Sequence, residues 1–408
     1  MTAVTILHGD CIEQMRTLAD QSVHCCVTSP PYFGLRDYGV PPSAWPAVDF
    51  VPVAGLPPMT VPAMTCCLGL EADPWAFVAH LVLVFREVRR VLRRDGTLWL
   101  NLGDSYAGSG RGGYPGERGT LAGTTEGQDN SRVARDTQRT GCAQRENAVT
   151  AIGTRLPAGL HEAVCDAGAA GRHWVSPQGG LKNKDLIGIP WRVACALQAD
   201  GWVLRQDVIW AKPNPMPESV RDRCTKAHEY LFLLSKGPRY YFDHEEMQEP
   251  SVSNNRALVK GAAVPHNTLQ SRLRLSVRRG GFAGKTNAMP GREAFRAIRT
   301  TRNRRSVWTV ATRPYAGAHF AVFPPDLIKP CVRAGCPEGG VVLDPFGGSG
   351  TTAAVAVENG RSAVICELNG GYLPLQHARI ATAQATADQA AAEAATPQTM
   401  DLFENTTV

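Results

Sequence analysis

Ser29 and Tyr32 stand three residues apart in Thr28-Ser29-Pro30-Pro31-Tyr32, a segment whose two prolines fix φ and restrict the residues before them. Stiffened in this way, the loop presents one hydrogen-bonding hydroxyl and one flat ring in a set relation, the contacts needed to grip a planar heteroaromatic group. A second block, Val342-Leu343-Asp344-Pro345-Phe346-Gly347-Gly348-Ser349-Gly350-Thr351-Thr352, lies near the other end of the chain. Its glycines permit a tight strand-to-helix turn and close approach of backbone to a ligand. Asp344 and a helix beginning near Ser349 add polar partners. Each block follows an apolar run, 23–27 and 341–343, as expected if both lie at the carboxyl end of a buried strand. Open α/β sheets place their ligand crevice there.

Further short motifs accompany these two: Gly9-Asp10-Cys11, Gly96-Thr97-Leu98-Trp99-Leu100-Asn101, Ile209-Trp210-Ala211-Lys212-Pro213-Asn214, His228-Glu229-Tyr230 and His319-Phe320-Ala321-Val322-Phe323-Pro324. Together the motifs resemble the S-adenosylmethionine-dependent amino-methyltransferases of DNA, which modify N4 of cytosine or N6 of adenine. The order, catalytic loop first and cofactor loop last, is similar to their circularly permuted β class, and the resemblance covers most of the chain. It implies an α/β fold, a doubly wound mixed sheet of the Rossmann-like methyltransferase type, with a smaller target-recognition domain. It also implies methyl transfer from S-adenosylmethionine to the exocyclic amino group of a base flipped out of double-stranded DNA.

Such an amino group is a poor nucleophile because its lone pair is delocalised into the ring. Acceptors on its N–H bonds would localise the pair and aim it at the methyl donor. Ser29 Oγ and the Pro30 carbonyl are the expected acceptors, on a loop that Pro31 helps to stiffen, with Tyr32 stacked on the base. Transfer would be a direct in-line displacement, its rate gained from positioning. On the cofactor side the resemblance assigns Asp344, Phe346, Gly348, Gly350 and Thr351 to the methionine and adenosine contacts. Glu367, at the end of the next strand, would accept from both ribose hydroxyls. Phe323 and Pro324 match the motif that closes over the cofactor, and Asp10 matches an acidic contact near the adenine.

Other chemistries fit less well. Methylation at carbon 5 of cytosine needs a cysteine nucleophile on a proline-cysteine loop, and Pro330-Cys331 falls inside the helical pattern 326–332. Gly348-Ser349-Gly350-Thr351-Thr352-Ala353 fits a GxGxxA dinucleotide fingerprint, with Glu367 at a suitable distance for an oxidoreductase that binds a nicotinamide cofactor. Too little chain follows it for the rest of such a domain, and it leaves the Ser29 loop unexplained. A catalytically dead DNA-binding regulator would be expected to have lost Ser29, Tyr32 or the glycines, and all are present. Within the family, serine at position 29 favours N4 of cytosine, with N6 of adenine by the same mechanism as the alternative.

Net charge of +6 conceals a segregation. Residues 251–313 hold twelve arginines, Lys260 and Lys285 against Glu293 alone, a net +13, so the rest of the chain carries −7. A stripe of this kind is a footprint for phosphate neutralisation. Arg272, Arg274, Arg278, Arg279, Arg302, Arg304 and Arg305 are the expected DNA contacts, and Phe282, Phe295 and Trp308 interleave with the basic residues. A cognate restriction endonuclease acting as a separate protein is a further partner the family allows. With no long uncharged apolar stretch and no leader pattern at Met1-Thr2-Ala3-Val4, a membrane partner is not expected and a cytoplasmic protein is. The twelve cysteines show no CxxC spacing, which favours buried free thiols over a metal site.

Alternating apolar runs and amphipathic stretches supply the positioning elements. Strands are expected at 4–8, 23–27, 97–101, 202–210, 230–234, 341–344 and 362–366. Helices are expected at 11–18, from 74 to a stop at Asp95-Gly96, at 184–198, from Pro324-Pro325, at 351–359 and from 372. The resulting organisation is a catalytic half at 1–250 with irregular insertions at 39–65 and 105–180, a basic target-recognition region at 251–313, a cofactor-binding half at 314–383, and an alanine-rich low-complexity tail at 384–408.

Overall fold

The computed structural model describes residues 2–35, 37–107, 180–250, 301–312 and 323–395. The expected insertion at 105–180 and the basic region at 251–313 fall mostly outside them.

The chain opens with β1 (Val4–His8), α1 (Cys11–Arg16) and β2 (Val23–Thr28). Asp10 caps α1, its Oδ1 accepting from the backbone N–H groups of Ile12 at 2.9 Å and Glu13 at 3.2 Å. The stretch expected to be irregular instead forms four three-residue strands, β3 (Ser43–Trp45), β4 (Val48–Phe50), β5 (Met59–Val61) and β6 (Met64–Cys66). β3 pairs with β6 and β4 with β5, both antiparallel, one ribbon nested inside the other. Burial explains the ribbon: Trp45, Val48, Phe50 and Val61 are all inside, and Trp45 stacks on His80 with centroids 4.2 Å apart.

In α2 (Pro74–Val91), Asp73 Oδ1 accepts from Trp75 N at 2.7 Å and Pro74 opens the helix. Phe77, Leu81, Val84, Val88 and Val91 form its buried stripe. The helix stops short of Asp95-Gly96, because Leu92 is already extended (φ −67°, ψ 139°) and begins β7 (Leu92–Leu102). α3 (Ile189–Ala199) starts later than 184, at Gly188, whose φ of 78° interrupts the helix pattern before Pro190. β8 (Val203–Ala211), β9 (His228–Ser235), β10 (Gln248–Pro250), β11 (Thr301–Asn303) and β12 (Val307–Thr309) follow. The C-terminal part is α4 (Pro325–Gly335), β13 (Val341–Asp344), α5 (Thr351–Glu358), β14 (Ser362–Glu367), a 3-10 turn (Gly370–Tyr372) and α6 (Leu373–Ala395).

Eight strands form one mixed sheet in the order β1-β14-β13-β2-β7-β9-β8-β12. All neighbours are parallel except where β9 lies antiparallel between β7 and β8. The route from β2 through α2 leads to β7 on one side, and that from β13 through α5 leads to β14 on the other. With both crossovers right-handed, α2 and α5 must cover opposite faces. Packing agrees: α2 touches α1 and α3, while α5 touches α4 and α6. The sheet is therefore doubly wound, and its direction of winding reverses between β13 and β2.

Two compact units divide the chain, one of Met1–Phe242 with Ser306–Val408 and one of Asp243–Arg305. The described part of the smaller unit, residues 243–250 and 301–305, includes the antiparallel pair β10 and β11. Trp308, read from the sequence as part of the basic DNA-contact stripe, belongs to the larger unit, where it is buried on β12 with its ring 6.4 Å from that of Trp99. Phe282 and Phe295 lie outside the described residues. The expected tail at 384–408 is helical as far as Ala395, since alanine is the best helix former, and the preceding turn packs Ala383 on Ala354 and Val357. All ten described cysteines are free, and Cys11, Cys25, Cys26, Cys331, Cys336 and Cys366 are buried. Among the described residues no helix is long and apolar enough to cross a membrane.

Candidate active site

The reversal point carries both sequence blocks. β2 and β13 are adjacent parallel strands, with Val342 opposite Cys25 and Leu343 opposite Cys26, so the Ser29 loop and the glycine loop leave the same sheet edge side by side. A buried tie joins them: Thr28 Oγ1 donates to Asp344 Oδ1 at 2.6 Å. Asp344 also accepts from Phe346 N at 3.0 Å and, through Oδ2, from Thr352 Oγ1 at 2.6 Å. Burial raises its carboxyl above the ordinary range, against the lowering by these three donors. Three internal donors thus hold Asp344, fixing where the glycine loop starts and where α5 begins.

Beyond Asp344 the backbone turns through Gly348 (φ 51°) and Gly350 (φ 77°), conformations that side chains rarely adopt. Gly348 N donates to Glu367 Oε2 at 2.7 Å, and Asn369 N donates to Glu367 Oε1 at 2.8 Å. Each carboxylate oxygen therefore keeps acceptor capacity. Burial pushes Glu367 up to about 7, with the two N–H donors opposing it. Gln376, from α6, supports the loop by donating to the Gly348 carbonyl at 2.8 Å, and Arg379 donates to Ser349 Oγ at 2.8 Å. Thr351, Ser349 and Gly350 are buried, and Phe346 is half-buried.

The Ser29 loop ends in a network drawn from three strands. Tyr32 Oη lies 2.7 Å from Glu229 Oε2 on β9 and 3.0 Å from Asn101 Oδ1 on β7. Ser29 Oγ lies 3.4 Å from both Tyr32 Oη and Asn101 Oδ1. Asn101 Nδ2 donates to the Tyr230 carbonyl at 3.0 Å and to Glu229 Oε2 at 3.3 Å, and Lys212, just past β8, ion-pairs with Glu229 Oε1. The Tyr32 ring lies flush against Gly103, where a Cβ would come within 2.4 Å of it. Burial, followed by the Glu229 charge, raises the phenol well above its ordinary value, so it stays protonated.

The chain matches the profile of the N6/N4 DNA methylase family over residues 23–377. It is 36% identical over 375 residues to Type II methyltransferase M.Cfr9I of Citrobacter freundii, covering 92% of this chain and 87% of that one. The chain belongs to this family. Similarity to Type II methyltransferase M.SmaI of Serratia marcescens is 37% identity over 375 residues, covering 92% and 90% of the two chains. The solved structure of the PvuII DNA methyltransferase (cytosine-N4-specific) superposes with a TM-score of 0.48 at 13% identity, covering 95% of this chain and 93% of that one. The protein is thus an amino-methyltransferase of DNA, of a family that depends on S-adenosylmethionine.

In the methylase, Ser29, Pro30, Pro31 and Tyr32 stand beside Asp344, Phe346, Gly348, Gly350 and Thr351, with Glu367 behind the glycine turn. Two expected cofactor contacts have structural work of their own: Asp344 has the three internal bonds above, and Asp10 caps α1, with Ser43 Oγ 3.4 Å from its other oxygen. Pro324 is the buried N-cap residue of α4 and Phe323 is half-buried beside it. In the smaller unit Arg302 and Arg305 both pair with Glu249, at 2.8 and 3.2 Å, and Arg304 N donates to the Met247 carbonyl. Arg272, Arg274, Arg278 and Arg279 lie outside the described residues. Cys331 is buried within α4, and burial pushes up the thiols of Cys26 and Cys366 beneath the two loops, Cys366 to about 12. None of these is placed as a nucleophile.

Sequence reasoning gave Asn101, Lys212 and Glu229 no role, although each sits in a quoted motif. A signal was present: each is a polar residue at or near the end of an apolar run, in Leu98-Trp99-Leu100-Asn101, Ile209-Trp210-Ala211-Lys212 and His228-Glu229-Tyr230-Leu231-Phe232.

Proposed function

We propose that this methylase transfers the methyl group of S-adenosylmethionine to N4 of a cytosine flipped from duplex DNA. The observation that carries the reading is the tie between Thr28 and Asp344, which sets the base-gripping loop beside the glycine loop at the reversal point of the sheet. The glycine turn and Glu367 fit the cofactor: two positive-φ glycines allow close backbone approach, and the partly satisfied carboxylate can accept hydroxyl donors. Phe346, Thr351, Phe323 and Pro324 would complete that site, with Asp344 and Asp10 shaping it from behind. When bound, the cofactor supplies an electrophilic methyl group.

Ser29 Oγ and the Pro30 carbonyl accept the two amino hydrogens of the base, which localises the nitrogen lone pair toward the methyl donor. The Tyr32 ring, fixed by Gly103 and by its own hydroxyl bonds, provides the stacking face. Serine at position 29 favours cytosine, and the same geometry serves N6 of adenine as the second reading. The basic region at 251–313 is the proposed DNA-recognition surface, with Arg302, Arg304 and Arg305 its described members. The two relatives are named Type II methyltransferases, which supports a cognate endonuclease acting separately on the same site.

Mass spectrometry of nucleosides from DNA of a methylation-free host expressing the chain tests this. N4-methylcytosine is expected; N6-methyladenine would move the base assignment, and unmodified DNA would overturn the reading.

A further inference from the structure

The network behind Ser29 has a direction, and its direction bears on the proposed transfer at the same loop, on which this inference rests. The Tyr230 carbonyl only accepts, so the Asn101 amide must turn Nδ2 toward it and Oδ1 toward Ser29 and Tyr32. Glu229, ion-paired with Lys212, likewise only accepts. Tyr32 has one hydrogen, and the shorter, charge-assisted contact at 2.7 Å takes it to Glu229. Asn101 Oδ1 and the lone pairs of Tyr32 Oη then remain as acceptors 3.4 Å from Ser29 Oγ. The Ser29 hydrogen is drawn inward, and its lone pairs face the base.

We infer that Glu229 and Lys212 are positioning residues that polarise this relay, making Ser29 a hydrogen-bond acceptor toward the amino group. Without them the relay has no preferred direction. Serine, unlike a carboxylate, is both donor and acceptor, so a serine-based loop needs an outside group to decide which it is. In Glu229→Gln the carboxamide oxygen turns to Lys212 and its NH2 faces Tyr32 Oη. Tyr32 then donates to Asn101 Oδ1, so the Ser29 hydrogen must share that acceptor and its inward pull weakens. An isosteric change thus reverses the Tyr32 link, at the loss of the Asn101 Nδ2 bond to the same oxygen.

The test compares single-turnover methyl transfer by the full chain on duplex DNA for wild type, Glu229→Gln, Tyr32→Phe and the double variant, with cofactor and DNA dissociation constants measured by calorimetry. Glu229→Gln is expected to slow transfer by roughly 10- to 100-fold, the scale of one charge-assisted hydrogen bond, with both dissociation constants unchanged. In the Tyr32→Phe background the same substitution should have little further effect, because the relay is already cut. Multiplying effects in the double variant, a wild-type rate for Glu229→Gln, or a loss confined to binding would each overturn the relay. Failure of the wild-type chain to methylate an amino group would overturn the proposed function first and the relay with it.

Discussion

Glu367 is expected to make cofactor affinity depend on pH in the neutral range. Burial pushes its carboxyl up to about 7 from an ordinary 4.5, so half of it is protonated where most carboxylates are ionised. If the carboxylate is the form that accepts from cofactor hydroxyls, the apparent Kd scales as one plus ten raised to pKa minus pH. That factor is about 11 at pH 6 and about 1.1 at pH 8, a roughly tenfold weakening or about 1.4 kcal/mol. The apo protein should move the other way. With the folded pKa raised, the group's contribution to stability is fully present below about pH 4.5 and lost as pH rises toward 7, about 3 kcal/mol in all. Titration calorimetry with S-adenosylmethionine between pH 6 and 8, paired with thermal unfolding of the apo chain, reads both. Glu367→Gln should bind more weakly at pH 8 and flatten both dependences relative to wild type, which also removes the ligand's own titration from the comparison. Identical pH profiles for the two proteins would refute the reasoning.

Ser29→Ala should abolish methyl transfer while leaving the cofactor Kd unchanged in calorimetry, because the proposed role of Ser29 is toward the base. Thr28→Val removes one donor from buried Asp344 and should destabilise the fold by about 1.5–3 kcal/mol, read as a lower Tm. Neutralising Arg302, Arg304 and Arg305 together should weaken DNA binding and flatten the slope of log K against log salt by up to about 3, and by about 2 if the single charge of Glu249 already offsets one of them. A filter-binding series across salt concentrations measures that slope.

The parts of the fold legible in the sequence are those where local pattern and burial agree. Asp73-Pro74 marks a helix start that no tertiary contact overrides, and 341–344 is apolar up to its terminal carboxylate. The nested ribbon was hidden because three-residue strands are too short to show a period of two. The end of α2 was misplaced because Leu92 continues the helical stripe in composition while its backbone has turned extended, just before the shifted register of β2 against β7. Trp308 reads as a surface aromatic beside arginines and is a core residue because β12 inserts it beside Trp99. As for the site, both loops announce themselves through proline and glycine, residues that act on their own backbone. Asn101, Lys212 and Glu229 do not, since their meaning lies in convergence from β7, β8 and β9, which linear spacing cannot express.

The bond between Thr28 and Asp344 joins residues 316 positions apart. On the ribosome, Thr28 emerges 316 residues ahead of Asp344, so β2 must wait for its neighbour β13. Until then the Ser29 loop hangs from a strand with one side bare, a segment open to wrong pairing. A strand made long after β2 therefore completes the interior of the sheet, and a chain released before β13 would hold every residue proposed to grip the base yet have no partner strand to aim them. Activity in a growing cell should thus switch on only once β13 has been made, and strand closure across so long a separation should make refolding slow.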